Sequence, residues 1–420
     1  MILTFWWWGE DEAPGLGSWL ERVVRGFEND RGVPVDLRLL RHDEVLPGFP
    51  AAVTAGRAPD LHFFWNGIYV IENAWAGRLA ALDDLLDERE LAAFGGGPQS
   101  MWRGKTYRAA WYVIPVCWVA NRRVLEEAGV EDLPRTWLEL VEACRRCRAA
   151  GFRPITAGDG EADFSVWWLT HFLTQCVEEP VDAVRLVFDS LDWRARPFRT
   201  AWELLEAARD SGMLDEEGLS LTLWEGLRRF NEGRSAFTLA SGPMFSTCRR
   251  SLGDEATAFV APSAETGPLA GLPIVDTQGV GVSASSADPR LAAELVARLH
   301  GAGERAALWR DVRLFPADRR WEGPADPDRD YLRMWRWYAD GASAPYLPNL
   351  LPLDLHYAVA AEIGQAVLAG RISGADAGAE ARQRSHDWVA ADTARAETYR
   401  EWAETAGRFD RVLEDVSWAG

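Results

Sequence analysis

Tryptophan is the residue type whose abundance and placement suggest chemistry. The chain has 22 tryptophans among 420 residues, and Trp6, Trp7 and Trp8 are consecutive. An indole ring is large, rigid and flat and carries one polar N–H, so it suits the apolar face of a sugar or a cation as well as a core. Other tryptophans stand at the ends of predicted elements: Trp65, Trp111, Trp118, Trp167 and Trp168. This pattern favours a protein that holds a carbohydrate between aromatic faces.

Several of these residues also have a purely structural interpretation. Trp7 suits the core as well as a ligand, because at least one of three consecutive strand residues points inward. Trp167 and Trp168 would point about 100° apart on a helix, so at most one of them could face a ligand. His42 and His356 fit structural roles better than ligand contacts. Three further tryptophans have helical spacing and are interpreted as core residues: Trp309, Trp335 and Trp337.

A pair of cysteines offers a different chemistry. Cys144 and Cys147 form a CxxC motif, which is used in redox and zinc sites. They lie in a strongly helical segment with Trp137, Leu140 and Val141 on the same face, and no second cysteine or histidine pair follows. We therefore interpret the five cysteines as small buried hydrophobic residues and not as a disulfide framework or a metal site.

The hydrophobic patterns of the first hundred residues predict an α/β fold. Apolar and polar residues alternate over 3–8 and 33–39, which predicts two strands, and the apolar run 61–65 predicts a third. Between the first two strands, Ser18 and Glu21 have the spacing of a helix-capping box. A β-α-β-α-β start implies a parallel sheet covered by helices.

The remainder of the chain contains more helix. Residues 111–120 form a long apolar run that predicts a strand, and Thr136 with Glu139 forms a second capping box. Asp163 could cap the helix that carries Trp167 and Trp168. Further strands are predicted at 235–240, 256–261 and 275–283, and Asp288-Pro289 is expected to open a helix.

Charge and length limit the classes of function. The formal net charge is −19, which disfavours nucleic acid and anionic lipid as partners, since both require a basic surface. No apolar run approaches the roughly 20 residues of a membrane helix. The apolar start, residues 2–8, has no basic segment before it, so we expect no signal sequence within this chain.

Seven segments, in this order along the chain, carry a family resemblance. They are LTFWWWG (3–9), AAVTAGRAPDLHFFW (51–65), WAGRLAALDDLL (75–86), GKTYRAAWYVIPVCWVANRRVLEEAGVEDLPRTWLELVEAC (104–144), FNEGRSAFTLASGPMF (230–245), GVGVSASSADPRLAAELVARL (279–299) and LPNLLPLDLHYAVAAEIGQAVLAGRIS (347–373). On these motifs the chain resembles the family 1 extracellular solute-binding proteins, the maltose-binding-protein-like sugar receptors of ABC importers.

The resemblance implies a two-lobed periplasmic-binding-protein fold of type II. Each lobe is then a mixed sheet flanked by helices, with the ligand in a cleft between the lobes. The implied lobes are 1–111 with 278–316 and 112–277 with 317–420. The implied crossovers lie near 110–114, 276–278 and 315–317.

Candidate site residues follow from the predicted sheet and from the resemblance. Open α/β sheets bind ligands beyond the carboxyl ends of their strands. Trp8, Trp65 and Trp168 are candidates for stacking on sugar faces. Candidates for hydrogen bonds to sugar hydroxyls are Glu10, Asn66, Asp276 and Asp354. The full predicted ligand-binding set is Trp7, Trp8, Glu10, His42, Asp43, Trp65, Asn66, Trp111, Trp167, Trp168, Gly242, Pro243, Met244, Asp276, Gln278, Asp354 and His356.

The predicted function is reversible capture of a mono- or oligosaccharide and its delivery to the transmembrane subunits of an ABC permease. We expect a monomer without catalytic residues, cofactor, metal site or nucleic-acid partner. The resemblance implies a periplasmic or extracellular location, and it leaves open a lipid anchor in the precursor. Glu10, Asp11 and Glu12 stand where the family often has a basic or polar residue, which permits a cationic or amino-sugar ligand.

Two alternatives remain open from the sequence. The first is a carbohydrate-active hydrolase or lyase that uses two carboxylates about 5–10 Å apart, since 64 acidic residues make such a pair easy to find. No nucleophile elbow, phosphate-binding loop or zinc motif is present in the sequence. The second is a receptor that holds a quaternary ammonium compound in an aromatic cage.

Overall fold

The computed structural model describes residues 1–325, 328–341 and 343–406, with the exception of the side chain of Glu216. Its strands are β1 Leu3–Trp7, β2 Val35–Leu39, β3 Leu61–Phe64, β4 Met101–Trp102, β5 Lys105–Thr106, β6 Ala109–Asn121, β7 Arg153–Ile155, β8 Ser235–Ser241, β9 Ala256–Phe259, β10 Ile274–Val282, β11 Phe315–Pro316 and β12 Ala344–Pro345.

The α-helices lie between and after these strands. They are α1 Leu16–Arg31, α2 Val45–Thr54, α3 Ile68–Trp75, α4 Glu88–Phe94, α5 Arg122–Glu127, α6 Trp137–Ala149, α7 Asp163–Thr174, α8 Asp182–Val187, α9 Thr200–Asp210, α10 Leu223–Arg229, α11 Gly242–Leu252, α12 Pro289–Leu299, α13 Ala302–Ala307, α14 Arg329–Ala339, α15 Leu353–His356, α16 Ile363–Leu368, α17 Gly374–Ala391 and α18 Thr393–Ala406.

The chain forms two units, and the first contains residues 1–114 and 276–335. Its sheet has β1 between β2 and β3, parallel to both, and β10 runs antiparallel to β3. β11 pairs antiparallel with the early part of β6, where Phe315 lies opposite Val113. The parallel β1, β2 and β3 therefore bring the residues that follow them to one edge of this sheet.

The second unit contains residues 115–275 and the chain from Arg336 onward. β8 and β9 flank the later part of β6, antiparallel to it, and β7 pairs parallel with β8. Trp118 on β6 lies between these neighbours and contacts the rings of Phe237 and Phe259. The centre of this unit is therefore an aromatic core built on β6.

The unit boundaries differ most from the expected crossovers at the third position. The chain leaves the first unit after Ile114, returns at Asp276 and leaves again after Trp335, whereas the resemblance implied 315–317 for the last crossover. Tyr331 and Trp335 on α14 pack on Trp309 and Phe315, which keeps this stretch in the first unit. Residues 326, 327, 342 and 407–420, assigned above to the second lobe, lie outside the described residues.

The predicted start of α1 is wrong, and the structure gives a physical reason. The helix begins at Leu16 and not after Ser18, and its N-cap residue Gly15 has a φ of 103° with no side-chain cap of its own. The Glu10 carboxylate accepts hydrogen bonds from the backbone N–H of Gly15 and of Gly17, at 2.9 and 2.7 Å. A negative group at a helix N-terminus satisfies unpaired donors and is favoured by the helix dipole.

Other local predictions are confirmed. Thr136 and Glu139 form the predicted capping box, and Asp288 caps α12 with Pro289 in its first turn. Cys144 and Cys147 are buried with free thiols, as expected for small hydrophobic residues on α6. The three tryptophans interpreted as core residues are buried: Trp309, Trp335 and Trp337.

A fully buried histidine leads to a prediction about acid stability. His62 on β3 has no exposed surface, lies among the rings of Trp6, Phe49 and Phe64, and burial lowers its pKa from 6.5 to about 3. Above pH 6.5 the folded and unfolded forms are both neutral here. Below it the unfolded chain binds a proton that the folded chain excludes, so stability falls by up to about 1.4 kcal/mol for each pH unit.

We therefore expect His62→Phe to reduce the loss of stability between pH 6.5 and pH 4, because phenylalanine keeps a ring in the cavity and has no proton to bind. The measurement is the free energy of unfolding by urea at several pH values in this range. Equal pH dependence in the variant and the wild type would contradict this account of His62.

Candidate ligand-binding site

Four aromatic side chains form a cluster beyond the carboxyl ends of β1, β2 and β3. Trp8 and Trp65 meet edge to face with centroids 5.7 Å apart, and His42 lies 5.7 Å from Trp8 and 5.4 Å from Trp65. Tyr69 on α3 lies 5.5 Å from Trp65. We call these four residues the aromatic cluster. The structure thus brings together three predicted residues that are separated by up to 57 positions in the sequence.

The members of the aromatic cluster differ in how much surface they offer. Trp8 is 7% exposed and rests on Phe63, so it forms the floor of the cluster. Trp65 is half-buried and His42 is exposed, so these two rings present the accessible faces. Tyr69 was missed by the sequence reasoning, although it follows Trp65 by four residues at the start of a helix.

A buried polar network adjoins the aromatic cluster through Asn66. The Asn66 amide N–H₂ donates to Gln99 Oε1 at 3.0 Å and to Asp276 Oδ1 at 3.2 Å. The Ser100 hydroxyl donates to Asn66 Oδ1 at 3.2 Å. Two predicted residues, Asn66 and Asp276, are therefore in direct contact, and their side chains are oriented by Gln99 and Ser100.

Arg108 completes this network and has no exposed surface. Its Nε donates to Ser100 Oγ at 3.0 Å, and its two terminal nitrogens donate to the backbone oxygen and the hydroxyl of Thr277 at 3.0 and 2.8 Å. A Cβ at Gly279 would lie 2.4 Å from Arg108 Nη1, so only glycine leaves room for the guanidinium there. We call Asn66, Gln99, Ser100, Arg108, Asp276 and Thr277 the polar network.

Gln278 lies on the same strand as Asp276 and Thr277. Its side chain is almost fully buried, and its Oε1 has no hydrogen-bond partner within the part of the chain that the structure describes. A buried acceptor without a partner costs about 1–3 kcal/mol. Gln278 is therefore the member of the predicted set with an unused acceptor next to the polar network.

Four other predicted residues of the first unit are buried or make contacts with other residues of the protein. Trp7 and Trp111 are buried, Trp111 among the rings of Phe5 and Trp19. The Glu10 carboxylate is engaged at the start of α1, as described above. Asp43 forms an exposed ion pair with Arg41 at 2.9 Å. The structure does not bring these four residues into the aromatic cluster or the polar network.

In the second unit, the predicted residues Gly242, Pro243 and Met244 open α11 directly after β8, and all three are buried. A Cβ at Gly242 would lie 2.9 Å from Pro115 Cδ, so the helix starts in close contact with β6. Trp168 has no exposed surface, and its indole N–H donates to the backbone oxygen of Ala201 at 3.1 Å. Trp168 is a core residue in this conformation.

The remaining predicted residues of the second unit lie on α7 and around α15. Trp167 is half-buried, in contrast to Trp168, so the adjacent tryptophans do point in different directions. Asp354 is exposed and pairs with Arg395 at 2.8 Å. His356 is buried, stacks on Tyr357 with centroids 5.2 Å apart, and has a pKa lowered by burial to about 4.

Two carboxylates near Trp167 have strongly raised pKa values. Burial raises the pKa of Asp159 to about 7, against the hydrogen bonds that it accepts from the backbone and hydroxyl of Ser165. Burial also raises the pKa of Asp163 to about 7. The sequence had suggested Asp163 as a helix cap, but the N-cap of α7 is Ala162 and no side chain caps it. No sequence pattern indicated that the pKa of either carboxylate would be raised.

Neither a metal-binding cluster nor a membrane-spanning helix is present among the described residues. No group of three or more His, Cys, Asp or Glu in that part of the chain is arranged to hold a metal ion. Within residues 1–325, 328–341 and 343–406, no helix has the length and apolar character that crossing a membrane requires.

The family assignment rests on a direct match. The chain belongs to the bacterial extracellular solute-binding proteins, because the model of that family matches residues 11–303. This confirms the resemblance drawn from the seven segments. No curated protein matches the sequence.

Solved structures support the fold. The chain is similar to a chitin oligosaccharide binding protein (TM-score 0.82, 20% identity, covering 92% of this chain and 98% of that one). It is similar to the GacH receptor of Streptomyces glaucescens, solved unliganded and with acarbose (TM-score 0.75, 18% identity, covering 96% of this chain and 98% of that one). It is also similar to a solute-binding protein of Thermotoga lettingae bound to α-D-tagatose (TM-score 0.75, 17% identity, covering 92% of this chain and 99% of that one). The predicted α/β periplasmic-binding-protein fold is thereby confirmed.

The polar network can be tested by removing its central cation. Arg108→Met should lower the free energy of unfolding by about 2–4 kcal/mol, because it leaves the buried Ser100 and the half-buried Thr277 with fewer hydrogen bonds. The measurement is chemical denaturation, with Arg57→Met as the matched control, since Arg57 is exposed and belongs to the same unit. Equal stability of the two variants would contradict the importance given to Arg108.

Proposed function

We propose that the protein is the extracytoplasmic substrate-binding component of an ABC importer and that its ligand is a mono- or oligosaccharide. The observation that carries the proposal is the aromatic cluster beside the polar network in the first unit. A sugar ring has apolar C–H faces and a rim of hydroxyls, and these two groups of residues match the two kinds of surface. Family membership supports the transport role, and structural neighbours described with chitin oligosaccharide, acarbose and α-D-tagatose support a sugar ligand.

In the proposed complex, Trp65 stacks on a sugar face, with Trp8 and Tyr69 holding its ring in place. Asn66, Asp276 and Gln278 hydrogen-bond the hydroxyls. Carboxylate acceptors form stronger hydrogen bonds than neutral ones, so Asp276 would contribute most to orientation. Preorganisation by Ser100 and Arg108 reduces the entropy that these side chains lose on binding.

In the second unit, we propose that Trp167 and Tyr357 take the role that the sequence analysis gave to Trp168. Both keep exposed ring surface, whereas Trp168 has none. A ligand that touches both units stays a prediction of the family resemblance, and variants in either unit test it. Delivery to permease subunits is the further step of the proposal, as the family's role in import implies.

The sugar-stacking role of Trp65 is tested by ligand-induced thermal stabilisation. Chitin oligosaccharides, xylo-oligosaccharides and maltotriose are suitable first probes, since a ligand that binds only the folded form raises Tm with concentration. Trp65→Ala should abolish the shift produced by whichever probe binds wild type and leave the apo protein folded. Trp75→Ala is the control, because Trp75 is also half-buried but packs on Trp102 outside the cluster.

A full shift in Trp65→Ala would remove the aromatic cluster from the proposed site. The same panel separates the alternatives drawn from the sequence. We propose binding without turnover, so the probes should be recovered intact after long incubation, and shortened products would favour a hydrolase or lyase. Stabilisation by choline or betaine, without any by sugars, would favour a quaternary ammonium receptor.

A further inference from the structure

Asp163 is a half-buried carboxylate without a side-chain partner among the described residues. It is the first residue of α7, and its side chain makes no hydrogen bond and no ion pair within the described part of the chain. Burial, and after it the charge of Glu161, raise the pKa of Asp163 to about 7. The surroundings thus disfavour a negative charge here, and no positive side chain compensates it.

Several other carboxylates of low exposure in this protein have a cationic partner. Examples are Asp318 with Arg305 and Arg320, Asp182 with Arg185, and Asp215 with Arg229. Buried charges are normally paired in this way because an isolated one is costly. Asp159 also has no cationic partner among the described residues, but it accepts hydrogen bonds from the backbone N–H and the hydroxyl of Ser165. Within the described part of the chain, Asp163 has neither kind of partner.

Two aromatic side chains with accessible surface accompany Asp163. Trp167 follows it by four residues on α7, so both lie on the same face of the helix. The segment that begins at Tyr357 packs against α7, and Tyr357 is 42% exposed. Burial, and after it the charge of Asp163, raises the pKa of the Tyr357 phenol, so the two groups are within electrostatic range.

A carboxylate with aromatic rings around it suits an organic ammonium group. The carboxylate forms a charge-assisted hydrogen bond with the N–H donors, and the ring faces attract the same cation. A neutral hydroxyl could also donate to Asp163, but a bound ammonium group in addition compensates the negative charge that burial disfavours. The requirement for charge compensation therefore favours an amine over a hydroxyl.

We propose that Asp163 recognises a protonated amine of the ligand, with Trp167 and Tyr357 against the same group, and that the preferred sugar is an amino sugar with a free amino group. This inference rests on the proposed function and specifies its substrate class. It differs from the expectation based on Glu10, Asp11 and Glu12, since the Glu10 carboxylate is engaged at the start of α1.

The test compares sugars that differ only in acetylation of the amine. Suitable pairs are chitosan and chitin oligosaccharides of equal length, glucosamine and N-acetylglucosamine, and galactosamine and N-acetylgalactosamine. Isothermal titration calorimetry with wild type should give tighter binding to the free amine of at least one pair. Asp163→Asn should weaken binding of that amine by at least about tenfold and change binding of its acetylated partner much less.

Glu161→Gln is the matched control, because it removes the same charge from an exposed neighbour and should retain the preference for the amine. The Tm of each apo variant verifies folding. Preference of wild type for the acetylated members, or an amine preference that Asp163→Asn retains, would overturn this inference and leave the proposed sugar-binding function intact. If no sugar of these pairs or of the earlier panel binds, both proposals are wrong.

Discussion

The burial of one guanidinium group governs the arrangement of the candidate site in the first unit. Arg108 has no exposed surface, so its N–H donors need nearby acceptors, and Ser100 and Thr277 accept three hydrogen bonds from it. This requirement brings the start of β6 against β10 and excludes a side chain at Gly279. Asn66 and Asp276 are then held in contact as a consequence of the same network.

The two units use aromatic residues in different ways. In the first unit, Trp8 and Trp65 lie at strand ends, where the buried Trp8 rests on Phe63 and the half-buried Trp65 keeps accessible surface. In the second unit, Trp118 and Trp168 lie within the core and hold β6 to α7, with centroids 5.9 Å apart. The high tryptophan content therefore reflects both packing and a candidate binding surface, and burial is what separates the two roles.

Much of the fold and part of the site could be predicted from the sequence. Alternation and strand ends predicted β1, β2 and β3 and, through them, the meeting of Trp8, His42 and Trp65. The same rules could not decide whether Trp167 or Trp168 is buried. Helical periodicity predicts that the two side chains point in different directions, but it does not predict which of them faces the core. Glu10 was assigned to the ligand, whereas its carboxylate accepts hydrogen bonds from the backbone N–H groups of Gly15 and Gly17. These bonds depend on the turn between β1 and α1, and a turn leaves no periodic signal in the sequence. The raised pKa of Asp163 arises chiefly from burial, which only the structure reveals.

The five cysteines have a consequence for the compartment in which this family works. Extracellular surroundings are oxidising, and unpaired thiols there tend to form unwanted disulfides. All five are buried in this protein, and burial raises the pKa of Cys147 to about 11 and of Cys176 to about 12, so almost no thiolate exists at neutral pH. Protection against oxidation is therefore a property of the folded state alone. A chain that is exported unfolded must complete its folding before oxidants reach these sulfur atoms, and any later opening of either unit exposes reactive thiols again.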